Sequence, residues 1–157
     1  LKGQKFFYLE VQSLLINSSF GMPRRVVQGF ERSRLEIITA VMDKKMGLNL
    51  GSLDLFINIP GGITIKDTSA DLPLVMSIMS VIKDIPISQK IAGIGELGLR
   101  GEIRKVSFIT KRLKELEKLG FTGAYVPFSN KKEIEKEEFK IKIIYLNNLN
   151  ELMERMK

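Results

Sequence analysis

Hydrophobic residues recur along this chain with two different periods, and the two periods alternate. A chain that switches between a two-residue and a 3.6-residue repeat must pack strands against helices. Phe7, Leu9 and Val11 face one way and Tyr8, Glu10 and Gln12 the other, which predicts a half-buried strand over residues 5–16, ended by Asn17-Ser18-Ser19 and Gly21. Residues 53–59 alternate similarly, and Pro60-Gly61-Gly62 predicts a turn into a second extended stretch at 63–65, closing a hairpin. Apolar runs at 91–94, 124–126 and 141–145 suit short buried strands.

Four helices are predicted between them. Ser33 with Glu36 forms a capping-box pattern that opens a helix to about Lys45, with Leu35, Ile38 and Met42 on one face and Gly47 as its stop. Thr68 with Asp71 opens the next, where Pro73 is tolerated in the first turn and Leu72, Val75, Met76, Met79 and Ile82 form the apolar stripe before Ile85-Pro86. A third runs from about Ser107 to Leu119 with Ile109, Leu113 and Leu116 inward and Gly120 beyond its end. The fourth starts near Asn148, with Glu151 three residues on. These Met and Leu stripes read as core rather than as a cofactor box. Strands interleaved with helices, plus a hairpin, predict a single α/β domain over residues 1–157, α+β in type, with a mixed sheet.

Composition narrows the chemistry. The 157 residues include no Cys, His or Trp. Disulfides, thiol nucleophiles, His-centred triads and Cys/His zinc sites are excluded, and no metal site is expected. No apolar run approaches the roughly 20 residues of a membrane span, and residues 1–10 lack a signal-peptide core, so a cytoplasmic protein with no membrane association is expected. The first residue is Leu, which suggests a segment of a longer polypeptide. The net charge is +7, a bias that suits a nucleic-acid surface.

Several residues stand out against plainer readings. Gly93, Gly95 and Gly98 match G-x-G-x-x-G, but Leu99-Arg100-Gly101-Glu102-Ile103 continues as an extended stretch, so a structural turn is expected rather than a dinucleotide site. No phosphate-binding G-x-x-x-x-G-K-[ST] loop is present. Ser69 should sit in a first helical turn near unpaired backbone N–H groups; as a nucleophile it would need a Lys or carboxylate base. Arg100, Arg104, Lys105, Lys111, Arg112, Lys114 and Lys118 outnumber Glu102, Glu115 and Glu117, which suits either phosphate contact or a solvated face. Arg24-Arg25 forms a smaller basic point on an expected loop. The mixed charges of residues 131–140 read as a solvated helix or loop.

Taken in order, Asp67-Thr68-Ser69-Ala70-Asp71-Leu72, Lys83-Asp84-Ile85-Pro86, Gly95 to Arg104, Lys118-Leu119-Gly120-Phe121 and Val126-Pro127 resemble the Lon-type peptidase domain. Pro23-Arg24-Arg25 and residues 51–62 bring the resemblance closer to the variant carried at the C-terminus of the RadA (Sms) family of bacterial DNA-repair proteins. The resemblance covers essentially the whole chain and implies the Lon-peptidase-like (ribosomal protein S5 domain 2-like) fold.

It also implies a degenerate site. The Lon dyad pairs a serine, here Ser69, with a lysine whose position, 43 residues on, holds Arg112 (112 − 69 = 43). A guanidinium keeps its proton in protein surroundings, so it cannot serve as the base. Lys111 is turned by about 100° on a helix. Asp71 replaces the glycine that follows Ser-Ala in Lon, placing a carboxylate near an oxyanion pocket. A pseudo-peptidase with no catalytic residue is therefore expected; the alternative is an active Ser-Lys serine peptidase of the Lon family using Ser69 with Lys111 or another lysine. The RadA resemblance implies a parent polypeptide with a zinc finger and a RecA-like ATPase, so that ATP, Mg and Zn belong outside this segment and none is a cofactor within it. It further implies a homo-oligomer, a hexameric ring, acting on single-stranded or branched DNA alongside RecA in branch migration. The expected phosphate contacts are Arg24, Arg25, Arg104, Lys105, Lys111, Arg112 and Lys114.

Overall fold

A computed structural model of the chain describes residues 10–19, 21–62 and 64–156. The start of the first expected strand, residues 5–9, lies outside them. Within them, β1 (Gln12–Asn17) and β2 (Arg25–Gln28) flank β3 (Leu53–Asn58), with β1 antiparallel and β2 parallel to it. The helices α1 (Arg32–Met46) and α2 (Asp71–Ile82) follow β2 and β3 respectively. The three short apolar runs become β4 (Ile91–Gly93), β7 (Gly123–Pro127) and β8 (Lys142–Leu146), all parallel in the order β4-β7-β8. Between β4 and β7 lie a two-stranded antiparallel ribbon, β5 (Glu96–Leu97) and β6 (Ile103–Arg104), and then α3 (Ile109–Lys118). A one-turn α4 (Lys131–Ile134) links β7 to β8, and α5 (Leu149–Arg155) follows.

The helix stripes face inward as their period demands. Leu35, Ile38 and Met42 of α1, Leu72, Val75 and Met79 of α2, Leu55 and Ile57 of β3 and Leu152 of α5 form one apolar cluster. Ile109, Leu113 and Leu116 of α3 pack with Ala92, Ala124 and Val126 of the parallel sheet and Ile134 of α4 in a second. Each Leu, Ile, Val or Met side chain among them, fully removed from water, contributes about 1.5–3 kcal/mol.

Four expectations about architecture are corrected. The single mixed sheet is three small sheets, of which only β1-β3-β2 is mixed. The described residues contain five helices, the added one being α4 in the segment read as a solvated helix or loop. The hairpin across Pro60-Gly61-Gly62 does not form among the described residues, because β1 and β2 already occupy both edges of β3. Ile65 instead makes an isolated parallel bridge to Phe30, its N–H donating to the Gly29 carbonyl at 2.8 Å. Arg25, expected on a loop, opens β2, a four-residue strand too short to show a period.

Helix starts divide the same way. Asn148 caps α5 as expected, accepting from the Glu151 N–H at 3.0 Å, while Glu151 accepts from the Asn147 N–H at 2.8 Å. Ser33 does not cap α1, which starts at Arg32 after an extended Glu31, because the chain leaves the Phe30 bridge directly into the helix. Gly47, with φ +65°, ends it as expected.

One polar contact ties three of these elements together. Asp71 at the start of α2 is 0 % exposed, and Arg34 of α1 donates to both of its carboxylate oxygens through Nε, at 3.0 Å, and Nη2. The same carboxylate accepts the Leu97 N–H of β5 at 2.9 Å, and Arg34 Nη2 donates to the Leu97 carbonyl at 2.8 Å. Burial is the largest influence on Asp71 and pushes its carboxyl above the ordinary value, against the Arg34 and Leu97 hydrogen bonds; that bond raises Arg34 in turn. Breaking a buried pair by removing one partner leaves an uncompensated charge. Arg34→Met is expected to lower the unfolding free energy by about 3–5 kcal/mol, read from the urea midpoint at constant slope. A loss below about 1 kcal/mol would show that the tie carries little of the fold.

Candidate functional site

Ser69 lies in the middle of a single 3-10 turn, Thr68–Ala70, that leads into α2. Asp67 caps the turn, its side chain accepting the Ser69 N–H at 2.9 Å, the ordinary task of a short carboxylate at an N-cap. Ser69 is 7 % exposed and its hydroxyl faces α3. There Arg112 Nη1 donates to Ser69 Oγ at 2.6 Å, and Arg112 Nη2 lies 3.0 Å from Asp67 Oδ2. Arg112 Nε donates to the Ser107 carbonyl at 3.0 Å, so the guanidinium is held from three sides with 13 % of its side chain exposed.

The N–H groups of Ser69 to Leu72 are each already taken. The Ser69 N–H goes to Asp67, the Ala70 N–H to the Asp67 carbonyl at 3.0 Å, the Asp71 N–H to the Thr68 carbonyl, and the Leu72 N–H to the Gly95 carbonyl at 3.1 Å. Residue 73 is proline and has none. The expectation of unpaired N–H groups beside the hydroxyl is thus corrected, because the 3-10 geometry and the Gly95 strand satisfy them first. The expectation for Asp71 is corrected with it: its carboxylate turns to Arg34 and Leu97, away from any oxyanion pocket.

The glycine pattern belongs to this packing. Gly95 also donates to the Ser69 carbonyl at 3.0 Å, and a Cβ on it would meet Ile103 at 2.9 Å, while one on Gly93 would run into the Met76 sulfur. These glycines let a strand lie against the start of α2, and β5, not a helix, follows them.

The basic residues are not brought to one place. Arg25 is corrected as a phosphate contact: only 10 % of its side chain is exposed, and its guanidinium donates to the Leu53 carbonyl at 2.6 Å and the Leu50 carbonyl at 3.1 Å, with Glu36 3.5 Å away. Arg112 is corrected likewise, being turned onto Ser69 and Asp67. Arg24 stays 65 % exposed, lying over Phe56 at 5.5 Å and 3.7 Å from Asp54. Lys114 rests over Phe139 at 4.7 Å and donates to the Glu138 carbonyl at 3.2 Å. Arg104, 3.8 Å from Glu102, is exposed at the end of β6, and Lys105 is exposed on the turn before α3. Lys111 is exposed on α3 and lies over Phe108 at 5.9 Å. It is directed to Phe108 while its neighbour Arg112 reaches Ser69, as a rotation of about 100° between adjacent helical residues requires. Among the described residues, no group of three or more His, Cys, Asp or Glu could hold a metal ion.

Asp67 is the participant that the sequence reading used only as part of a motif. An Asp two residues before a helix-opening Ser is itself an N-cap signal, and it would have found this carboxylate. Burial acts on Asp67 most strongly and opposes ionisation, but the Ser69 and Arg112 hydrogen bonds and the Arg112 charge outweigh it and hold the carboxyl below its ordinary value. A carboxylate lowered in the folded state adds stability above its unfolded pKa and loses it as the pH falls through the folded one. Thermal melts are therefore expected to show an acid limb below about pH 4 that is shallower in Asp67→Asn. An unchanged limb would remove Asp67 from the acid response.

Sequence comparison adds relatives to this geometry. Residues 12–130 match the family described as subunit ChlI of Mg-chelatase. The chain is 38 % identical over 130 residues to DNA repair protein RadA of Bacillus subtilis, 41 % over 127 residues to that of Campylobacter jejuni and 40 % over 129 residues to that of Escherichia coli. These alignments cover 83 %, 81 % and 82 % of the chain but 28 % of each relative, so the chain spans a little over a quarter of their length.

Proposed function

The chain belongs to the ChlI family and is homologous to the C-terminal Lon-like region of bacterial RadA DNA repair proteins, and on that premise we propose that it is a Lon-like module without peptidase chemistry. It serves a cytoplasmic RadA-type DNA repair ATPase in recombination and branch migration. In that protein it supports assembly of a homo-oligomeric ring and contacts DNA, while ATP, Mg and Zn act in other domains.

The observation that supports the loss of chemistry is the 2.6 Å hydrogen bond from Arg112 to Ser69. A serine nucleophile needs a base that can accept its proton, and a guanidinium can only donate. The filled N–H groups of residues 69–72 add a second obstacle, since a tetrahedral intermediate would find none of those four free to donate. The same contacts have a structural use: they fasten α3 to the start of α2.

The peptidase arm of the proposal is tested by incubating the protein and its Ser69→Ala variant with an unstructured protein substrate. No serine-dependent turnover is expected. Hydrolysis abolished by Ser69→Ala would overturn the reading and favour the active peptidase.

The DNA arm rests on the exposed Arg104, Lys105 and Lys111 at the β6–α3 turn. Each phosphate contact on a single strand adds about 0.7 to the slope of log affinity against log salt. Lys105→Ala with Lys111→Ala in the full-length protein is expected to reduce that slope by about 1.4 and weaken binding to all sequences alike. An unchanged slope would leave a ring scaffold without DNA contact at this turn.

A further inference from the structure

We propose that the outer face of the β1-β3-β2 sheet is the surface on which the preceding domain of the longer polypeptide packs. This rests on the reading that the chain is the C-terminal module of a RadA-type protein, and it names the face by which that module is held to the rest.

The face follows from strand register. Leu14 and Val26 both lie opposite Phe56, so one apolar row crosses all three strands, and Ile16 stands two residues along from Leu14 on the same side. The alternate residues Leu15, Val27, Leu55 and Ile57 go to the core. That leaves Leu14 55 %, Val26 46 % and Ile16 43 % exposed. Leu14, Val26 and Phe56 line a groove of about 410 Å³ whose other walls include Gln12, Gln28 and Asn58. Apolar surface gathered into one patch with an uncharged polar rim is the form of a protein contact.

Charge and size choose the occupant. The chain carries 25 Lys and Arg, yet the outward positions along residues 12–16, 24–28 and 54–58 hold Arg24 alone, 3.7 Å from Asp54 and over Phe56 at 5.5 Å. A face without net charge gives phosphates little to bind and suits a protein surface of apolar side chains and amides. Three strands about 4.8 Å apart and five residues of about 3.3 Å each make roughly 240 Å² of sheet. A partner held from free solution takes about 800 Å² on each side, so the patch is too small for a separate molecule or a second copy. A covalent tether supplies an effective concentration in the millimolar range, and a patch of this size then suffices. β1 is the first described element and forms one side of the face, so in the longer polypeptide the preceding domain is joined next to Leu14 and Ile16.

The test is hydroxyl-radical footprinting of Leu14, Val26 and Phe56 in the full-length protein and in the 157-residue chain, with a thermal melt to check that each is folded. The full-length protein is also diluted through the range in which its oligomer mass falls. Leu14 and Val26 are expected to oxidise at least about fivefold more slowly in the full-length protein, and that protection to survive dilution because it is intramolecular. Leu14→Lys with Val26→Lys in the full-length protein is expected to return Phe56 oxidation to its rate in the 157-residue chain. Protection that fades on dilution would make the occupant a second copy and overturn the proposal, as would equal rates in the two proteins. A natural polypeptide no longer than these 157 residues would overturn the RadA-type reading itself, whereas a longer one with Leu14 and Val26 unprotected would overturn the docking alone.

Discussion

The pairing of Asp71 with Arg34 and the Leu97 peptide is the contact on which the rest of the arrangement depends. A carboxylate with no exposed surface must find full compensation, and here it draws on α1 and β5 at once. That requirement sets where α2 begins relative to α1 and brings the β5 ribbon against the first turn of α2. Gly95 can then approach closely enough to bond both the Ser69 carbonyl and the Leu72 N–H. The conformation of the Ser69 turn is therefore inherited from a buried ion pair two residues further along.

Seen from that turn, the site is a fastening. Asp67, Ser69 and Arg112 join the segment before α2 to α3, and the guanidinium also holds the Ser107 carbonyl. A lysine in the same place would supply three donors on one nitrogen but could also give up its proton; the planar guanidinium spans two acceptors at fixed geometry and remains charged. A permanently charged donor suits holding two helices in register and offers no acceptor for a serine proton. The left-handed backbone at Phe108 belongs to the same construction, since it aims the Ser107 carbonyl at Arg112 and carries an aromatic ring outward.

Legibility from sequence followed the strength of local signals. The stripes Leu35-Ile38-Met42, Leu72-Val75-Met79 and Ile109-Leu113-Leu116 could be read because one face of each helix is buried against the core. The runs that became β4, β7 and β8 could be read because strands of a covered parallel sheet are apolar on both faces. Arg25-Val26-Val27-Gln28 could not, since four residues flanked by polar ends show no period. Pro60-Gly61-Gly62 signalled a turn correctly in kind, but whether residues beyond it pair with β3 depended on β2 reaching that edge first. Within the site, the register of Ser69 and Arg112 was legible only through the Lon resemblance, whereas the pairing of Arg34 with Asp71 spans 37 positions and left no local trace.

The sequence by itself determined the four longer helices and the apolar strand runs, which of their faces are apolar, and that the chain carries no Cys or His, because these follow from residue type and spacing alone. The resemblance to the Lon family, not residue type or spacing, put Arg112 at the dyad-lysine position 43 residues after Ser69. Tertiary structure decided what each charge is for. Arg24 and Arg25 are adjacent and chemically alike, yet one lies 65 % exposed over Phe56 and the other is turned inward onto the Leu50 and Leu53 carbonyls. Lys111 and Arg112 part in the same way. The direction of a side chain is set by the element it sits on, and its partners are set by what that element packs against, neither of which is written in the neighbouring residues.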